Sequence, residues 1–370
     1  MEITAIRIRR LALALDPTFT AAWDPVPRST FPASVVFVET DEGLVGIGSG
    51  DTMESFELYE HLFLGRDPLD IERHVRVLET IAFHAARYWP LEAALWDLAG
   101  KANGVPAARL LGGAVERLPV YASWGELRAP GRRAEDALAL VEEGFRAVKV
   151  RVAPSALDEG VAVVRAVREA AGGGLAVVVD LNQGWRMPGD VTPPLPYDVV
   201  RAFADELAEL DVRWLEEPLD GDDVAGHARL RRETSVPIAG GEMARTPALL
   251  DAFLAADALD IFQPDAVLAV GVSRAADLAS RARAVGREFT PHTWTNGLGL
   301  AANLHLACGV DSSPFLEFPY DPPTWTPARR DFFLTEPLRQ DPEGFLAVPD
   351  RPGLGVEIEE AELDRWGADA

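Results

Sequence analysis

LAVVVDLNQGW (175–185), VRWLEEPLD (212–220) and VPIAGGEMART (236–246) decide the fold. Each is an apolar run that stops on an acid: Asp180, Glu216 and Glu242. The acids stand 36 and 26 residues apart (180 to 216, 216 to 242), about one strand–loop–helix unit each. Short apolar runs separated by helical segments predict parallel strands joined by right-handed crossovers. Acids at the ends of successive parallel strands converge on one face of a barrel, where catalytic groups of such barrels sit. Three oxygen ligands meeting there suit a hard cation, most simply Mg²⁺.

The rest of the chain extends that pattern. Eight apolar runs fall in register at 117–123, 147–152, 175–180, 212–216, 236–239, 258–262, 288–291 and 313–316. Helical patterns at 132–144, 155–171, 196–210, 246–256 and 272–286 separate most of them, and 297–309 reads as the last crossover helix. This is a (β/α)-type barrel. Ahead of it lies an antiparallel meander: strands at 2–14, 31–40 and 44–50, with a loop over Thr18–Thr30 and a turn at Asp41-Glu42-Gly43. Helices are expected near 52–64, 69–83 and 89–104, the last closed by Gly104, with a short one over Pro106–Gly113. The boundaries are therefore an α+β domain at 1–113, a barrel at 114–320 and a C-terminal segment at 321–370. Residues 319–350 read as irregular, and 352–359 as a strand returning to the first domain.

A chain of 370 residues suits a barrel plus a smaller domain. Its net charge of −24 argues against nucleic acid or an anionic membrane surface as partner. A small-molecule anion remains compatible, since a bound metal reverses the local field. The single cysteine, Cys308, excludes an intrachain disulfide and fits the cytoplasm. The N-terminal run is broken by Arg7, Arg9 and Arg10, so it reads as a strand and not a signal peptide. No apolar run is long enough to span a bilayer.

Beyond the triad, Lys149 and Arg151 are two apart on the second barrel strand and so point the same way. Three carboxylates, a dication and a carboxylate substrate leave a net −2 that two inward cations would balance. The plainer alternative is a structural ion pair with the barrel acids. Asp265 and His292 end the sixth and seventh strands, where Asp265 can accept a hydrogen bond from His292, fix its tautomer and raise its basicity. Glu317 on the eighth strand completes the ring, as a donor to a developing oxyanion if protonated. Asn182 faces the same way as Asp180 and is a candidate substrate contact. Glu217 should face away and support. Tyr88, Trp23 and Trp325 are candidates either for the pocket wall or for packing.

These residues resemble the enolase superfamily, and within it the mandelate racemase-like group of the mandelate racemase/muconate lactonizing enzyme family. The similar phrases are KVR at 149–151, DLN at 180–182, EEP at 216–218, GGE at 240–242, QPD at 263–265, PHTW at 291–294 and LEF at 316–318, with LWDLAGK (95–101) and PGLGVEI (352–358). The resemblance implies a modified TIM barrel, (β/α)7β, capped by the α+β domain, whose specificity loops lie around Phe19–Thr30 and Gly48–Glu54. It implies Asp180, Glu216 and Glu242 as Mg²⁺ ligands, and His292 and Asp265 as a general-base pair. It further implies Glu317 as support for the enolate, and Lys149 as a carboxylate-binding or pKa-tuning group. A homo-oligomer is expected by the same analogy. The family's shared step, removal of the proton α to a carboxylate with the metal stabilising the ene-diolate, is known chemistry.

The departure is Arg151, which stands where the racemase-type K-x-K motif has its second lysine. Arginine stays protonated in proteins. One base, His292, fits β-elimination of water from an acid sugar (an aldonate or aldarate) to a 2-keto-3-deoxy acid. A racemase or epimerase of an α-substituted carboxylate is the alternative and requires Lys149 as the opposite base. Cycloisomerase chemistry ranks third, because that group resembles lysines on both sides of the barrel without a His–Asp pair. A catalytically silent binding protein on the same scaffold is the remaining reading.

Overall fold

The computed structural model describes residues 1–50, 52–113, 115–311 and 313–368. The expected Gly48–Glu54 loop therefore includes one residue, Asp51, outside the described set, as does Ala114 at the domain boundary.

The first domain is the expected meander. Strands β1 (Ile3–Phe19), β2 (Arg28–Thr40) and β3 (Val45–Ser49) pair antiparallel in that order. The loop anticipated over Thr18–Thr30 is shorter, because Phe19 pairs with Arg28 after a register shift beyond Ala14. Helices α1 (Ile71–His84), α2 (Trp89–Asn103) and α3 (Ala107–Leu110) follow. Gly104 closes α2 at φ 66° as its sequence predicts. The helix expected near 52–64 is instead two short 3₁₀ turns over 56–58 and 60–62. Ser55 just ahead has φ 61°, a left-handed conformation that an α-helix cannot contain.

The barrel alternates strands and helices: β4 (Arg117–Ser123), α4 (Pro130–Glu142), β5 (Ala147–Arg151), α5 (Leu157–Ala171), β6 (Ala176–Asp180), α6 (Tyr197–Glu209), β7 (Leu215–Glu216) and α7 (Val224–Glu233). It continues with β8 (Ile238–Gly240), α8 (Pro247–Ala255), β9 (Ile261–Phe262), α9 (Val272–Ala284), β10 (Glu288–Phe289), α10 (Gly297–Val310) and β11 (Leu316–Pro319). Seven βα units and a closing strand among the described residues are the (β/α)7β pattern. The sheet runs β10-β9-β8-β7-β6-β5-β4-β11, all parallel. Between β10 and β11, Thr293 donates its hydroxyl to the Glu317 carbonyl (2.7 Å) and its amide to the Glu317 carboxylate (2.9 Å). Helix α7 escaped the sequence reading because its charged residues leave only a narrow apolar stripe around Ala228 and Leu230.

Alternation along the strands sets the two layers. Val148, Val150, Val177 and Val179 pack outward against the helices. Ala147, Val178, Tyr121 and Trp214 fill the barrel interior. Lys149 and Arg151 share the inward face with Ala147.

The C-terminal segment differs from expectation. Residues 319–350 are not irregular throughout: α11 (Pro327–Arg330) and β12 (Phe345–Ala347) lie there, and β12 pairs antiparallel with the start of β4. Residues 352–359 make no strand, only single bridges from Gly353 to Pro106 and from Ile358 to Leu334. The segment still reaches the cap: Asp97 accepts the Leu354 and Ile47 amides (2.7 and 2.8 Å), and the Gly353 carbonyl accepts the Ala107 amide (2.8 Å). Helix α12 (Glu360–Arg365) ends the chain against β1 through Arg9, which donates to the Leu363 carbonyl. No helix of the described residues is long and apolar enough to cross a membrane.

Candidate active site

The three acids converge. Oxygens of Asp180, Glu216 and Glu242 lie within 4.8 Å of one another, all buried. Asp180 and Glu216 end β6 and β7 and pair across the sheet; Glu242 follows β8 through Gly241 at φ 97°. Each acid is anchored, Asp180 and Glu216 through both oxygens and Glu242 through one. Glu216 accepts from Lys149 Nζ (2.7 Å) and Gln263 Nε2 (2.9 Å). Asp180 accepts from Arg151 Nη1 (2.6 Å) and the Asn182 amide (2.7 Å). Glu242 Oε1 accepts from the Trp185 indole (2.6 Å), while its Oε2 is buried without a hydrogen-bond partner among the described residues. An orphaned buried carboxylate oxygen is costly unless something else satisfies it. An all-oxygen donor set with one unsatisfied oxygen fits a hard divalent cation.

Asp265 and His292 meet. His292 Nδ1 donates to Asp265 Oδ2 at 2.9 Å. Asp265 Oδ1 is held by the Val267 amide (2.7 Å) and Asn303 Nδ2 (3.1 Å), so the carboxylate cannot swing. This fixes the tautomer and leaves Nε2 as the free nitrogen, 3.7 Å from Glu242 Oε2.

Lys149 is fully buried between Glu216 and Glu317, each at 2.7 Å, with Asp180 at 3.4 Å. It does not line the cavity; the structural ion-pair reading describes its geometry. Arg151 does line it. Its Nε donates to the Trp124 carbonyl (3.0 Å), and Trp23 from the cap lies over its guanidinium at 4.2 Å. Glu317 accepts from Lys149 and from Ser123 Oγ (2.6 Å) through Oε1, and from Thr293 N through Oε2. Both oxygens are acceptors, so a proton-donating Glu317 is not what this arrangement holds. Asn182, expected to meet substrate, instead has its amide engaged by Arg151 (2.7 Å) and Asp180 (3.1 Å) and is absent from the cavity wall. Glu217 is buried, so close to Gly184 that a side chain there would collide with its carboxylate.

The cavity, about 810 Å³, lies between cap and barrel. Trp23 and Trp325 line it, with Phe19, Trp294, Trp185 and His292. Tyr88 does not: it is buried in the cap and donates to the Glu54 carbonyl (2.6 Å). The cap loop docks where the Ala22 amide donates to the Gly125 carbonyl (2.8 Å). Gly125 has no room for a side chain there, since a Cβ would fall 2.4 Å from Phe19 and 2.7 Å from Trp294.

The charges are mutually tuned. Burial pushes Asp180 up to about 6, aided by Glu216 and opposed by Arg151 and Lys149. Burial lifts Glu242 to about 7 against the pull of His292. Burial opposes the charge on His292, but Glu242, Glu317 and Asp265 outweigh it and raise the imidazole to about 9. Burial would raise Glu317, yet Lys149, His292 and Arg151 hold it at about 2. Burial also disfavours the Lys149 ammonium, but Glu216 and Glu317 keep it protonated well above its ordinary range.

A pH dependence follows. Asp180, Glu242 and His292 each hold a proton to higher pH when folded than their ordinary values of 3.8, 4.5 and 6.5. These three groups bind more protons in the folded state than in the unfolded chain between about pH 4 and 9; buried His74, His227 and His305 are pushed down and oppose them below about pH 6.5, so stability falls as pH rises above it. Thermal melts in chelator should drop in Tm from about pH 6.5 to 9, and Mg²⁺ should restore Tm most at the alkaline end. A metal-free Tm that climbs over that range would contradict this electrostatic picture.

Several of these groups were not singled out from sequence: Trp185, Gln263, Ser123, Thr293 and Asn303. Positional signals existed for three of them: Trp185 stands five residues after Asp180 in DLNQGW, Gln263 two before Asp265 in QPD, and Thr293 next to His292 in PHTW.

Comparison with known proteins agrees with this geometry. Residues 132–362 match the family described as enolase C-terminal domain-like, and residues 16–112 match the N-terminal domain of mandelate racemase/muconate lactonizing enzyme. The chain is 31% identical to the D-galactarolactone cycloisomerase of Agrobacterium fabrum, covering 99% of each chain. It is 29% identical to the L-talarate/galactarate dehydratase of Salmonella typhimurium, over 86% of this chain and 76% of that one. Among solved structures it is similar to a racemase from Streptomyces coelicolor A3(2) with bound magnesium: TM-score 0.83, 26% identity, 99% of this chain and 100% of that one.

Proposed function

Since the chain belongs to the mandelate racemase/muconate lactonizing enzyme family of the enolase superfamily, we propose that it is a Mg²⁺-dependent dehydratase of acid sugars, taking an aldonate or aldarate to a 2-keto-3-deoxy acid. The observation that carries this reading is a site with one base. His292 Nε2 is free and faces the triad, while Lys149 is enclosed by three carboxylates and Arg151 stays protonated. Racemisation needs an acid/base on each face of the α-carbon; β-elimination needs one.

Asp180, Glu216 and Glu242 would hold Mg²⁺, whose charge stabilises the negative charge that develops on the substrate carboxylate. With a dication offsetting the Glu242 charge that holds the imidazole at about 9, Nε2 of His292 is deprotonated and takes the α-proton, and Asp265 stabilises the imidazolium that forms. The C–O bond at the next carbon breaks as the His292 imidazolium returns its proton to the hydroxyl, which leaves as water, and the enol becomes the keto acid. Arg151 lies where it can pair with the substrate carboxylate, and the aromatic wall excludes water. Trp185 is a positioning residue, because its indole fixes Glu242. Trp185→Phe is expected to weaken Mg²⁺ about 10- to 100-fold by calorimetry, with the fold intact. Unchanged affinity would remove that role.

The cycloisomerase-like relative supports a second reading. The same single base suffices if the leaving oxygen belongs to a lactone or other ring, so that the ring opens and no water is lost. This revises the low rank given to cycloisomerisation from sequence, which assumed paired lysines. Aldonic and aldaric acids and their lactones, screened with Mg²⁺ for 2-keto acid formation, separate the two. Open acids that react support dehydration; lactones alone support ring opening; neither would overturn the single-base elimination.

A further inference from the structure

Three guanidinium groups line the cavity: Arg10, Arg28 and Arg151. Each has a carboxylate partner, and they differ in what is left over. Arg10 reaches Glu57 (2.7 Å) and Glu54 (3.2 Å) and the Met53 carbonyl, and Arg151 is held by Asp180 and the Trp124 carbonyl. Arg28 is different. Its Nε donates to Asp24 Oδ2 at 2.7 Å, and its Nη2 has only the Met187 sulfur at 3.8 Å, a weak acceptor. Nη1 makes no hydrogen bond among the described residues. The edge of the fork formed by Nη1 and Nη2 is the one that pairs with a carboxylate through two parallel bonds.

The surroundings position that fork. Asp24 also accepts the Val26 amide (3.0 Å), closing the Asp24-Pro25-Val26-Pro27 turn that delivers Arg28 to the head of β2. Met187 lies on the same β6–α6 loop as Trp185, whose indole binds Glu242. The neighbouring wall is apolar: Phe19, Trp23, Phe31 and Trp294. Such a wall meets the C–H edges of a carbon chain and leaves the Arg28 fork beside it as a charged donor edge open to a second anion.

We propose that Arg28 is the subsite for a second carboxylate, so that the substrate is a dicarboxylic acid bound by one carboxylate at the acid triad and by the other at Arg28. This rests on the reading of the triad as the site of a carboxylate substrate, and it narrows that class to aldarates. The partner chemistry is a terminal –COO⁻ where an aldonate carries –CH₂OH.

Matched pairs differing only at that terminus test it: galactarate against galactonate, and glucarate against gluconate. Binding is measured by calorimetry with Mg²⁺ in His292→Asn, which keeps the pocket but holds the ligand unreacted. In at least one pair the diacid is expected to bind about tenfold or more tighter, the scale of a charge-assisted pair. Adding Arg28→Gln should erase that preference while leaving the monoacid within about twofold, and Arg28→Lys should recover only part of it. Equal binding of both acids, a preference that survives Arg28→Gln, or no binding by either member of both pairs would overturn the proposal. Turnover of a monoacid by the unaltered protein without diacid preference would overturn it while leaving the dehydratase reading intact.

Discussion

His292→Asn should abolish turnover, lowering kcat by about 10⁴-fold, while Mg²⁺ affinity stays within a few-fold. Asparagine can still donate to Asp265 but cannot accept the α-proton. The imidazole approaches the acid triad no nearer than 3.7 Å, at Glu242, so the donor oxygens keep their anchors in Lys149, Arg151 and Trp185. Steady-state 2-keto acid formation and calorimetric Mg²⁺ titration report the two halves separately. Retained turnover would remove His292 from the chemistry. Lost metal binding would mean the imidazole belongs with the ligands instead.

Lys149→Met carries the largest expected cost in stability. The ammonium is fully buried and is the hub between Glu216, Glu317 and Asp180. Removing it leaves three carboxylates facing one another in a low-dielectric interior, where breaking a buried pair costs about 3–5 kcal/mol. Urea unfolding in chelator should show that loss. Mg²⁺ should recover part of it, because a dication at the triad replaces some of the missing positive charge. If Lys149 were instead a mobile second base, the substitution would leave stability near its starting value and remove epimerisation. The two roles therefore separate on one variant.

What the sequence disclosed depended on how local the signal was. Asp180, Glu216 and Glu242 could be read because each ends its own apolar run, and Lys149 and Arg151 because a two-residue spacing fixes a shared face. Asp265 and His292 followed from adjacent strand ends. The contacts that set roles were not local. Asn182 looked free for substrate until Arg151 was seen to take its amide oxygen, and Glu317 looked like a donor until Ser123, Lys149 and Thr293 filled its acceptor positions. Strand β12 was hidden because three residues, Phe345–Ala347, are too few to show a period. The end of β1 was misjudged because the pairing of Phe19 with Arg28 needs a register shift that no propensity announces. The anchoring of Glu242 by Trp185 spans 57 residues and exists only once β6 and β8 are placed.

Turnover in D₂O tests the single-base claim most directly. With Mg²⁺ and an acid that gives a 2-keto acid, unreacted substrate is recovered at partial conversion and examined by NMR and mass spectrometry. The account predicts deuterium at the α-carbon only in the starting configuration, if at all, and none of the α-epimer. Accumulation of the α-deuterated epimer would contradict it, for that requires a second group that delivers a proton to the face opposite His292.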